Sequence, residues 1–170
     1  MKGYDDAFNF VVGAEGGYTK SEHDRGNWTT GTIGRGELKG TKYGISAMSY
    51  PHLDIENLTL DDAKGIYYSD YWLPMWCDKV GYPKALCMFD AAVNNGITNS
   101  TRFAQRAASV YDDGKMGPIT LSAIQQMDAG LFVEYALQSR RIFYQALSTF
   151  SRYGRGWLNR LDAVRREANA

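Results

Sequence analysis

Between Thr19 and Gly40 the chain abandons the helical pattern that surrounds it on both sides. Gly26, Gly31, Gly34, Gly36 and Gly40 are interleaved there with Thr29, Thr30, Thr32 and Ile33. Glycine and β-branched residues in this alternation form turns and short hairpins and do not sustain a helix. A β-rich insert near the N-terminus, followed by a long helical remainder, is the architecture such a chain is limited to. At 170 residues it suits one domain, bilobed at most, with enough length to bury a core.

Before the insert, Phe8, Val11 and Val12 form an apolar stripe at helical spacing, and the next position of that stripe is Glu15. Gly16-Gly17 follows, where a helix is expected to stop. The pattern predicts a helix over residues 5–15 that aims a carboxylate along its buried face. Desolvation and the negative end of the helix dipole would both disfavour the ionised form and raise the pKa, as a general acid near neutral pH requires. A helix-end Glu turned to solvent is the plain alternative. Asp24 lies nine residues on, inside the Gly/Thr segment. Two carboxylates so arranged suit glycoside cleavage: one protonates the leaving oxygen, the other steadies the transition state or positions water.

Downstream, Lys42-Tyr43-Gly44-Ile45 leads into a short helical piece ending before Pro51. Thr59 and Asp62 resemble a capping box opening a helix through Tyr68 or Trp72. Pro83 reads as an early helical residue, with Leu86, Phe89 and Val93 as a stripe ending at Asn95-Gly96. Further helices are expected over about 99–110, from Pro118 to Met127, over 130–150 and over 157–168, with a turn at Asp112-Asp113-Gly114 and a break at Tyr153-Gly154-Arg155-Gly156. The expected fold class is mainly α (α+β), with a small N-terminal β-hairpin lobe and a larger helical lobe.

Composition narrows the chemistry. Formal net charge is zero, so no nucleic-acid partner is expected, although residues 138–170 carry seven arginines against Asp162 and Glu167. That tail suits an anionic envelope or membrane surface, or is a solvated helix face. Cys77 and Cys87 lie outside any metal or redox motif and are expected to be reduced thiols. His23 and His52 are too sparse for a zinc site, and no phosphate loop or serine-nucleophile elbow occurs. No metal or cofactor is expected. The start of the chain lacks the apolar stretch of a signal peptide, and no 18-residue apolar run exists. On that reading the protein is made in a cytoplasm and reaches its target through a membrane lesion made by another protein. Aromatics make up 14% of the residues. Trp28, Tyr43 and Trp72 are candidates for sugar contacts and equally candidates for the core; Asn94, near a helix end, is a candidate for sugar binding or for capping.

Longer words narrow it further. Glu15-Gly16-Gly17-Tyr18, Asp24-Arg25-Gly26-Asn27-Trp28-Thr29 and Gly40-Thr41-Lys42-Tyr43-Gly44-Ile45-Ser46 resemble the signature of the phage and bacterial muramidases of glycoside hydrolase family 108, as do Tyr68 and Tyr71-Trp72. Phe89-Asp90-Ala91-Ala92-Val93-Asn94-Asn95-Gly96, Asp113-Gly114-Lys115-Met116-Gly117-Pro118-Ile119-Thr120 and Gly156-Trp157-Leu158-Asn159-Arg160 resemble the helical peptidoglycan-binding module that accompanies it. The resemblance implies a lysozyme-like domain spanning 1–170, a catalytic region over 8–95, and a helical region over 96–165 that completes a cleft between the lobes. It implies a monomeric endolysin that hydrolyses the bond between N-acetylmuramic acid and N-acetylglucosamine in peptidoglycan. Glu15 maps to the general acid, Asp24 to the second carboxylate and Thr41 to the holder of the attacking water. Arg25 stands where many relatives have Pro, and the longer hairpin leaves Thr30, six residues after Asp24, as a second claimant to the Thr role; the Thr-x-x-Gly-Ile context favours Thr41. The Asn159-Arg160 word implies an ion pair between Arg160 and Glu15 that orients the acid and would lower its pKa, leaving the net shift open. A lytic transglycosylase and a non-catalytic wall-binding or virion protein remain the alternatives.

Overall fold

The computed structural model describes residues 1–13 and 16–170. The chain divides into two units, residues 8–68 and residues 1–7 with 69–170.

The smaller unit begins in α1 (Tyr4–Val11), which stops earlier than the sequence pattern predicts. Gly13 is the reason. It takes the left-handed conformation (φ 81°), and its N–H closes back onto the Phe8 carbonyl at 3.2 Å. The glycine pair at 16–17 is therefore not the helix terminator. The expectations placed on Glu15 itself lie outside the described residues.

The Gly/Thr segment forms the expected hairpin with very little regular strand. A single 3₁₀ turn, Arg25–Asn27, opens it, and Trp28 bridges Leu38 across its base. Thr19 bridges Thr41 with both backbone N–H groups paired at 2.9 Å. β1 (Thr41–Lys42) and β2 (Ile45–Ser46) then pair antiparallel, Thr41 opposite Ser46 and Lys42 opposite Ile45. The short helical piece expected after Lys42 is replaced by this hairpin. Tyr43 and Gly44 both have positive φ, 52° and 75°, which is the two-residue turn that matches strand twist. α2 (Leu60–Tyr67) carries the predicted capping box: Thr59 Oγ1 accepts the Asp62 N–H at 3.1 Å and the Asp62 carboxylate accepts the Thr59 N–H at 3.0 Å. Phe8, Ile45, Ile55, Leu58 and Tyr67 are buried in this unit, with the Phe8 and Tyr67 rings edge to face.

The larger unit is helical. A π-helical turn, Tyr68–Trp72, follows α2 directly, and α3 (Tyr82–Asn95) is the central helix. Every residue of α3 from Lys84 to Ala92 is buried, so it is enclosed on all sides and does not present one apolar stripe. It packs on α4 (Ile97–Ala107), α6 (Ala129–Gln145) and α7 (Phe150–Ala168), while α5 (Pro118–Gln126) leans on α4. Small residues make that possible: Ala85, Ala91 and Ala92 let neighbouring helices approach, and Ser100 of α4 donates to the Met88 carbonyl at 2.7 Å. Lys84 is buried because its ammonium takes carbonyls at the end of α5, Ile124 at 2.7 Å and Met127 at 2.6 Å. Burial holds its pKa below the ordinary lysine value.

α7 runs unbroken through Tyr153-Gly154-Arg155-Gly156, where a break was expected; the interruption lies before Phe150. Gly154 is there for packing. The Phe150 ring lies against it, and a Cβ would come within 2.5 Å of that ring. Cys77 and Cys87 are both buried free thiols, and burial pushes the Cys87 thiol up to about 12. The arginine-rich tail is partly neutralised inside the fold: Arg140 and Arg160 share Asp90, and Arg165 pairs with Glu134 and Asp162 at 2.8 Å. Among the described residues no helix is long and apolar enough to cross a membrane.

Candidate active site

Asp24 is the N-cap of the 3₁₀ turn, exposed, with Oδ1 accepting the Gly26 N–H at 2.9 Å. One carboxylate oxygen thus fixes the local backbone. Among the described residues the other oxygen has no partner. The turn ends at Asn27, which is fully buried, and Asn27 is the residue that joins the predicted site together. Its backbone N–H bonds the Asp24 carbonyl at 3.1 Å, and its own carbonyl accepts from Lys39 and Gly40 at 2.9 and 3.0 Å. Its side-chain Nδ2 donates to the Ser21 carbonyl at 3.0 Å, and Oδ1 accepts the Thr41 hydroxyl at 2.7 Å. Asp24 and Thr41 are seventeen positions apart in sequence and are tied to the two ends of one buried amide residue.

Thr41 and Thr30, the two claimants to the same role, are placed very differently. Thr30 is exposed in the hairpin loop, where its hydroxyl donates to the Arg35 carbonyl at 2.7 Å and accepts the Thr32 N–H at 3.2 Å. Its proton and one of its lone pairs hold the turn. Thr41 is half-buried in β1 and its one hydroxyl proton is committed to Asn27, so toward any further group it is an acceptor.

Tyr43 sits at the hairpin turn with its carbonyl accepting the Tyr67 hydroxyl at 2.7 Å. Its ring lies directly on Gly16, and a Cβ at Gly16 would overlap the ring. The Glu15-Gly16-Gly17 word therefore has a packing reason for its first glycine: the ring from the hairpin needs the bare backbone. Trp28 is half-buried with its indole N–H donating to the Glu22 carbonyl at 2.9 Å, which closes the loop bearing His23 and Asp24.

In the larger unit, Trp72 is a core residue and not a sugar platform. It is 3% exposed, edge to face with Tyr4 and Phe89 at 5.1 and 5.5 Å, and its indole N–H donates to Asp78 at 2.7 Å. Asn94 is exposed on α3, with Nδ2 donating to the Asp90 carbonyl one turn back at 2.9 Å. Arg160 donates to Asp90 Oδ1 through Nε at 2.9 Å and through Nη2. The expected pairing of Arg160 with Glu15 lies outside the described residues. Asp90 itself is fully buried and also takes Arg140 Nη1 on Oδ2 at 2.6 Å. Burial opposes charge on Arg140, but Asp90 and Tyr144 outweigh it and hold the guanidinium above its ordinary range. The sequence reading missed both Asn27 and Asp90. Each lay inside a word already singled out, and an Asp in mid-stripe of an apolar helix was the available signal for Asp90.

Most of these positions fall in one stretch of chain, and that stretch is what known proteins share. The model of the Glycosyl hydrolase 108 family matches residues 8–96. The chain belongs to glycosyl hydrolase family 108. Glu15, Asp24, Asn27, Thr41, Tyr43 and Asp90 all lie within the match; Arg140 and Arg160 lie beyond it. A family-108 chain is a glycoside hydrolase, and peptidoglycan is its substrate class. The fold likeness extends further than the family match. The structure of SagA from Brucella abortus superposes with a TM-score of 0.77 at 26% identity, over 97% of this chain and 92% of that one. The fold is lysozyme-like and mainly α, as expected from the sequence. No curated protein sequence matches the chain.

Proposed function

We propose that this glycosidase hydrolyses the β-1,4 bond between N-acetylmuramic acid and N-acetylglucosamine. Glu15 protonates the leaving oxygen, Asp24 faces the oxocarbenium-like centre, and the Thr41 hydroxyl holds the attacking water. The observation that carries this reading is the Thr41–Asn27–Asp24 linkage, inside the family-matched segment that also contains Glu15. Because the Thr41 proton is given to Asn27, a water on the other side must donate to Thr41 Oγ1, which turns a lone pair of that water away and toward the sugar carbon. Asp24 keeps an oxygen available for the same reaction centre, since only Oδ1 is used by the turn. Thr30 is exposed, with its proton and one lone pair engaged by the turn, and is assigned to the hairpin.

The sequence words shared with phage muramidases support a role as an endolysin that acts on the wall of a host cell once a separate lesion opens the membrane. Digestion of purified sacculi, with the fragments reduced and weighed by mass spectrometry, tests the reaction type. Hydrolysis leaves N-acetylmuramic acid reducing ends that borohydride reduces. Products carrying 1,6-anhydro ends would instead identify a transglycosylase, and an absence of released fragments would identify a wall-binding protein.

A further inference from the structure

The smaller unit carries a concavity that the proposed chemistry does not use. It is a surface groove of about 260 Å3 whose apolar lining comes from Tyr18, Leu38 and Ile55. Asp24, Asn27 and Thr41 do not line it. Tyr18 and Lys20, which line the groove, flank Thr19, the bridge partner of Thr41, and so point to the opposite face from the Thr19 side chain.

The groove is preformed. The Tyr18 hydroxyl donates to the Lys39 carbonyl at 2.9 Å, and its ring lies against Gly40, where a Cβ would come within 2.7 Å. The Lys39 ammonium donates to the Pro51 carbonyl at 2.8 Å, which ties the hairpin to the segment bearing His52, Asp54 and Glu56. Charges of both signs surround the apolar lining. Among the described residues the side chains of Lys20, His52 and Glu56 make no hydrogen bond or ion pair, and Asp54 keeps Oδ1 free while Oδ2 accepts from Asn57 at 2.8 Å.

We propose that this groove binds the peptide stem of peptidoglycan. Where the lactyl carboxyl of N-acetylmuramic acid is amide-bonded to a stem the sugars carry no charge, so the substituted glycan itself has nothing to pair with Lys20, Asp54 and Glu56. The ionised groups of the polymer are on its stems, which combine carboxylates, an amine in many walls, and small apolar side chains. The volume agrees: it is below the roughly 300–1,000 Å3 of sites that enclose a drug-sized ligand and suits one or two peptide residues. The inference rests on peptidoglycan as the substrate and does not depend on which residue protonates the glycosidic bond.

Backbone amide shifts of the full chain, titrated with defined muropeptides, test it. The probes are a disaccharide tetrapeptide with a diaminopimelate third residue, the free tetrapeptide, and the bare disaccharide with its lactyl carboxyl blocked as the amide. Both peptide-bearing probes are expected to shift residues 18–20, 38–39 and 52–56, and the bare disaccharide to leave them unmoved. Lys20→Glu and Glu56→Lys should each weaken tetrapeptide affinity about two- to fivefold, the range of an exposed ion pair. Digestion of glycan stripped of its stems should be unchanged in both variants. Equal shifts from the bare disaccharide would make the groove a sugar subsite, and unchanged peptide affinity in both charge reversals would overturn the proposal. Full digestion by a Glu15→Gln variant would overturn the catalytic reading alone and leave the peptide shifts standing.

Discussion

Thr41 donates its hydroxyl proton to Oδ1 of Asn27 at 2.7 Å, and Asn27 has no exposure to solvent. That bond sets which way the Thr41 oxygen faces, so the two residues act as a pair. Thr41→Val keeps the strand and the volume but removes the oxygen. Turnover on purified sacculi should fall by about 10²-fold, the scale of losing one positioned group at a reaction centre. Thr30→Val should retain turnover within about twofold, because the Thr30 hydroxyl serves only its turn. Equal losses in the two variants, at matched stability, would remove Thr41 from the mechanism.

Asn27→Ala should cost stability as well as activity. It removes the partner of the half-buried Thr41 hydroxyl and of the Ser21 carbonyl, and each lost hydrogen bond costs about 0.5–1.5 kcal/mol. Urea unfolding should show a lower midpoint with an unchanged slope. Thr41→Val in the Asn27→Ala background should then add less than it does alone, since the partner is already gone.

Gly16→Ala should be disruptive for a steric reason. The Tyr43 ring occupies the space a Cβ needs, so the chain must shift, at about 1–3 kcal/mol for overpacking. Tyr43→Ala should relieve most of that cost, and a double-mutant cycle by thermal unfolding measures it. Additive effects of the two substitutions would mean that the ring and Gly16 do not meet in solution.

Asp90→Asn removes the charge shared by Arg140 and Arg160. Breaking one partner of a buried ion pair costs about 3–5 kcal/mol, and here two guanidinium groups lose their counter-ion at once. Arg140 contributes most, being 2% exposed at the side chain against 32% for Arg160. Denaturation should therefore rank Asp90→Asn and Arg140→Met as more damaging than Arg160→Met. A reversed order would mean that Arg160 is the structural partner.

Acid should loosen the contact between the chain's two ends. The Lys2 ammonium at 2.8 Å, with the Tyr82 hydroxyl at 2.9 Å, holds the Glu167 carboxyl below its ordinary value of 4.5. A carboxyl depressed by folding stabilises the protein above its unfolded pKa, and that contribution is lost as pH falls through the folded one. The Tm difference between wild type and Glu167→Gln should be present at pH 7 and close as pH falls below the carboxyl's ordinary value of 4.5. A difference that persists unchanged at low pH would mean that the ion pair is not its source.

The helical remainder was legible in sequence because its start and stop signals are local. Thr59 with Asp62, Pro83, Gly96 and Pro118 each mark a helix end through a bond or a fixed torsion within a few residues. Two glycine signals were misassigned because a glycine can serve either backbone or packing. Gly13, and not Gly16-Gly17, ends α1; Gly154 admits the Phe150 ring and does not interrupt α7. The turn at Tyr43 was hidden because an aromatic residue at positive φ is paid for by tertiary contacts, with Gly16 and Tyr67, that no local pattern records. Spacing suggested the carboxylate pair, and the family resemblance supplied the threonine candidates. Asn27 and Asp90 could not, since their importance comes from partners as far as 70 positions away.

Replacement of Glu15 by its amide is the decisive test of the proposed chemistry. Glu15→Gln keeps the shape of the side chain and removes its proton, so release of muropeptides from sacculi should fall by at least about 10³-fold while binding to sacculi stays within about twofold of wild type. Muropeptide release at the wild-type rate by the folded Glu15→Gln protein would contradict the assignment of Glu15 as the acid.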